Sequence, residues 1–241
     1  MDCASTSALH QVCELNEDAI FELSSGHPGP AIVLLEEAAG QLMQCLTADS
    51  HSSSAISPHY TSRVQIPHLH DDLFYVYSCA VSYSASTTTA STTTTTTTTI
   101  PSQSDMIFEL AIVLFNLALA HHQQGILTKA EAPLKQALTF YKECHQALQS
   151  LTTDHNDDVL VLTLAVLNNQ AEILYYHQQQ QHEHEHSTEI FQKLMTHSMH
   201  AILHQADDTS NLSMVEQSQI HEFVQNAMVL RLERPCAAPS A

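Results

Sequence analysis

The sequence predicts a mostly α protein, an array of antiparallel helix hairpins with about three pairs, a capping helix and one inserted β-hairpin. Two observations carry this. From Asp105 to Leu148 apolar residues recur at helical spacing twice, as Ile107, Leu110, Leu114, Leu117 and Ala118 and then as Ala130, Leu134, Ala137, Tyr141 and Leu148. Gln123-Gln124-Gly125 breaks the pattern between them, which reads as helix, turn, helix. The second observation is a repeat: Ala19, Gly26, Ala31, Leu35 and Ala38 reproduce the spacing of Ala118, Gly125, Ala130, Leu134 and Ala137 residue for residue. Small side chains at those positions let two helix backbones approach while the leucines fill the groove opposite.

The first pair occupies 1–48. Leu9, Val12, Asn16, Ala19, Ile20 and Leu23 mark one helical face, the stretch from Ser24 to Pro30 is a turn, and Ala31, Leu34, Leu35, Ala38, Leu42 and Cys45 mark the next face. Pro30 is expected at the first position of the second helix, where a missing N–H costs nothing. Residues 49–104 interrupt the array. Arg63 to Ile66 and Leu73 to Tyr83 are rich in β-branched and aromatic residues and read as a β-hairpin. A two-stranded ribbon is not stable alone, so its Tyr-rich side must lie on the helices or on another chain. The threonine tract Ser84 to Thr99 has no apolar period and is expected to be disordered.

Residues 105–232 hold the second and third pairs and the capping helix. Pro133 falls inside the helix that Thr128 and Glu131 would open as a capping box, so that helix must bend or begin later. Asp157 to Tyr176 is apolar at Leu160, Leu164, Leu167, Ala171 and Leu174, and nearly all round between Val159 and Leu167, as in a helix enclosed on both flanks. Its partner is expected only after Ser187 or Thr188, with Ile190, Leu194, Met195, Ala201 and Ile202 inward. Leu212 to Leu232 reads as the capping helix, and 233–241 as a frayed tail.

Seven basic against 26 acidic residues give a formal charge of −19. Nucleic acid and anionic lipid, which need clustered Lys and Arg, are therefore not expected as partners, and a partner steered by charge should be basic. The 18 His residues make that charge sensitive to mild acid. Six scattered cysteines without Cys-x-x-Cys spacing fit reduced thiols and a cytoplasmic or nuclear location. The start, MDCASTSALH, lacks the basic flank and apolar core of a signal peptide. No uncharged apolar run approaches the 18 or so residues of a membrane span; Leu110 to Ala120 contains Asn116 and ends in His121-His122.

Asn116-Leu117-Ala118, Gly125, Ala130, Leu134 and Ala137-Leu138 together resemble the tetratricopeptide-repeat signature. The resemblance implies a curved array whose first helices line a concave groove that receives a peptide or helix. It places Asn116 and Asn169 at the Asn position that holds peptide backbone in that family, with Asn16 one residue away from it in the first copy. His122 falls on the inner side, where the family often has aromatics. For each amide the other reading is a bridge or cap between neighbouring helices, and for His121-His122 it is core packing. The family's carboxylate-clamping form needs Lys or Arg on those helices, and none is there.

No chemistry is expected. The chain has no Gly-rich phosphate loop or GxSxG, and Cys144-His145 are helical neighbours that cannot meet as nucleophile and base. No cofactor is expected either. His182, His184 and His186, alternating with Glu183 and Glu185, form the one candidate metal set, and they support a second reading as a metal-binding or buffering protein. A run preceded by four glutamines lacks the fixed geometry that a purposeful site requires.

Overall fold

The computed structural model describes residues 3–48, 63–64, 80–81, 103–151 and 157–178, together with 193, 196, 223 and 224. These residues are mostly α. In order they form α1 (Cys3–Ser24), α2 (Pro28–Ala48), β1 (Arg63–Val64), β2 (Ala80–Val81), α3 (Gln103–Thr128), α4 (Glu131–Ser150) and α5 (Asp157–Gln178). The elements from α1 to α4 belong to one compact unit and α5 to a second. The threonine tract, His182 to His186, the tail and most of the expected last helices lie outside the described residues, as does most of the expected β-hairpin.

Within the first unit α1 packs on α2, α2 on α3, and α3 on α4. The apolar periodicity places the core as expected: Val12, Ala19, Ile20 and Leu23 of α1 and Ala31, Leu35, Ala38 and Leu42 of α2 are buried. In α4 the inward stripe is Leu134, Ala137, Tyr141, Cys144, His145 and Leu148. α3 is buried without interruption from Phe108 to Gln123, so it is the central helix of its unit. By length and composition α3 could cross a membrane, but 83% of its most apolar window is covered by protein, as in a core helix.

Both helix hairpins turn through the same motif. In the first, the His27 N–H donates to Glu22 O and the Gly26 N–H to Leu23 O, with Gly26 in the left-handed region at φ 77°. In the second, the Ala130 N–H donates to Gly125 O and the Lys129 N–H to Ile126 O, with Lys129 left-handed at φ 53°. These are paired six-to-one and five-to-two Schellman bonds. Lys129, not Gly125, is therefore the counterpart of Gly26. The expected turn at Gln123-Gln124-Gly125 is helix, and α3 continues for one further turn.

Gly125 is small for another reason: a Cβ there would stand 2.5 Å from Leu134 Cδ2, 2.6 Å from Leu134 Cγ and 3.2 Å from the Leu134 backbone nitrogen. The first turn of α4 lies against it. A shift of four residues is close to one helical turn, so Ala118, Leu134 and Ala137 stay buried like Ala19, Leu35 and Ala38 although the loop has moved. Ala130, matched in sequence to the fully buried Ala31, is instead the half-buried residue preceding α4.

The prolines settle in the same way. Pro28, not Pro30, takes the first position of α2. Pro133 sits in the first turn of α4, whose N–H groups have no helical acceptor, and the helix begins at Glu131. Thr128 does not cap it: its Oγ1 donates to Gln124 O at 2.6 Å, inside the end of α3.

β1 and β2 are antiparallel, Arg63 opposite Val81 and Val64 opposite Ala80, within the two segments read as strands. In the second unit α5 is buried at every residue from Val161 to Ile173, the enclosure its apolar run predicted.

Candidate functional site

The polar centre of the first unit lies where α1, β2 and α3 meet. Asn116 is on the buried helix α3, Asn16 on the inward face of α1, and both side chains are enclosed. Between them lies the backbone of Val81. The Val81 N–H donates to Asn116 Oδ1 at 2.9 Å, and Asn116 Nδ2 donates back to Val81 O at 2.8 Å. Asn116 Nδ2 also donates to Asn16 Oδ1 at 2.9 Å, and Asn16 Nδ2 donates to Val81 O at 3.1 Å. The Asn116 carboxamide thus offers β2 what a neighbouring strand would, one donor and one acceptor in the same plane. All four bonds are buried, where an unmade one costs about 1–3 kcal/mol.

A second link between α1 and α3 stands nearby in sequence. The Cys13 thiol donates to Glu109 Oε1 at 3.2 Å. Burial pushes the Glu109 carboxyl up to about 7, with Asp105 adding to the shift and the Cys13 hydrogen bond opposing it. Burial also pushes the Cys13 thiol far up, with the Glu109 charge adding to it, so the thiol is a donor and not a nucleophile.

The other candidate residues fall elsewhere. His122 packs between α3 and α4, edge-on to the Tyr141 ring at 6.2 Å, with its Nδ1 3.5 Å from the Tyr141 hydroxyl. His121 stacks on Phe140 at 5.4 Å, and burial lowers its pKa. Asn169 is enclosed in α5 of the second unit, where the Asn168 amide donates to its Oδ1 at 3.3 Å. Cys144 donates to Ala111 O at 3.1 Å, and full burial pushes its thiol up, so Cys144-His145 has no thiolate to offer. No group of three or more His, Cys, Asp or Glu among the described residues could hold a metal, and His182, His184 and His186 are outside those residues.

Sequence reasoning missed Val81 and the Cys13–Glu109 pair. A signal for the latter was present: Glu109 is the one ionisable residue in the apolar run from Met106 to Ala120. No known protein family, curated protein or solved structure matches this chain.

Proposed function

We propose that the chain is a non-enzymatic protein-interaction module that receives an extended peptide, held by its backbone at Asn16 and Asn116. The observation that carries this reading is the doubly bonded Val81 amide, because two buried carboxamides aimed at one backbone unit are the chemistry of holding an extended chain whatever its side chains. The close packing of α1 on α2 and of α3 on α4, with buried alanines at their contacts, supports a tetratricopeptide-like array around that site. The ladder of β1 and β2 supports a β-hairpin inserted between the pairs. With a formal charge of −19, the partner is a basic segment.

The test is a titration of the full chain with labelled extended peptides of equal length and graded charge, followed by fluorescence anisotropy. Basic peptides bind, acidic ones do not, and affinity falls as salt is raised. Binding that ignores peptide charge, or no binding by any peptide, contradicts the reading.

A further inference from the structure

We propose that β2 is the chain's own resident ligand: it fills the Asn16–Asn116 clamp in cis and leaves it when an extended basic segment enters in trans. The inference rests on the peptide-receiving function above and adds its regulation.

The hydrogen bonds from the clamp to β2 go to main-chain atoms, the N–H and C=O of Val81, whose side chain is buried. Any extended residue other than proline carries the same two groups, so an incoming segment can replace Val81 without leaving either asparagine unpaired. Among the described residues β2 pairs only with β1, and a two-stranded ribbon has little independent stability. Finally, the occupant is electrostatically plain. Ser78-Cys79-Ala80-Val81-Ser82-Tyr83 carries no charge, whereas a basic competitor gains attraction from an acidic surface that β2 cannot use.

Two measurements on the full chain test this. In amide hydrogen exchange followed by NMR, the Val81 N–H opens locally and is at least about 100-fold less protected than Ile112 and Leu117 in the middle of α3. Equal protection would mean that β2 leaves only when the whole unit unfolds, and would overturn the proposal. The second uses Val81→Pro, which removes the donated N–H, and a labelled peptide copying residues 78–83. The variant keeps its helical circular dichroism and binds the peptide at least about tenfold more tightly than the wild type, whose clamp is already filled. Loss of the fold in Val81→Pro would make β2 an inseparable part of the core, and a folded variant that ignores the peptide would mean the clamp is not vacated. Either result overturns the proposal. Because the probe is the chain's own sequence, these outcomes are independent of whether a basic partner is found.

Discussion

Asn116 and Glu109 lie two helical turns apart on α3 and face α1 through different chemistry. The asparagine needs no ionisation to satisfy its partners. Burial favours the neutral form of the glutamic acid, and its titration links pH to stability. Its folded pKa, about 7, lies above the ordinary 4.5, so the folded chain binds the extra proton between those values. The stabilising contribution is fully present below pH 4.5, declines as pH rises towards 7, and is absent above it; the difference is about 3 kcal/mol. Glu109→Gln keeps an acceptor for the Cys13 thiol and removes the titration. In urea unfolding at pH 5 and pH 8, the variant gains on the wild type by about 3 kcal/mol at the higher pH. A gap between the two proteins that does not change with pH would show that Glu109 titrates as an ordinary surface acid.

At the scale of the element, the helices were legible because periodicity reports which face is buried, and that face survives a shift of one turn. The loop between α3 and α4 was not legible, because a glycine can signal either a left-handed residue or a close approach. Gly26 is the first kind and Gly125 the second. What carries the left-handed turn in the second hairpin is Lys129, a residue type that gives no such signal. The two substitutions therefore move stability in opposite directions in thermal unfolding. Lys129→Gly relieves the left-handed strain and stabilises by about 1 kcal/mol. Gly125→Ala, which by helix propensity alone would gain about 1 kcal/mol, destabilises by about 1–2 kcal/mol because the added methyl meets Leu134. Stabilisation by Gly125→Ala would mean that α4 does not press on α3 there. The candidate site was half legible for a related reason. A polar residue on an apolar face can be located in sequence, so Asn16 and Asn116 were identified. Its partner across long separations cannot, so Val81 was not.

At the scale of the whole chain, the acidic surface and the buried polar centre have separate roles. The charge selects a basic partner and brings it near; the carboxamides hold whatever backbone arrives. What joins residues a hundred positions apart is the Asn16–Asn116 bond, closed over the backbone of Val81. A double-mutant cycle of Asn16→Ala and Asn116→Ala, read by urea unfolding of the full chain, measures that connection directly. If the two side chains act as one clamp, the first substitution removes most of what the second can lose, and the cycle gives a coupling of about 1–3 kcal/mol. Additive losses, with no coupling beyond error, would mean that the two asparagines do not hold a common segment.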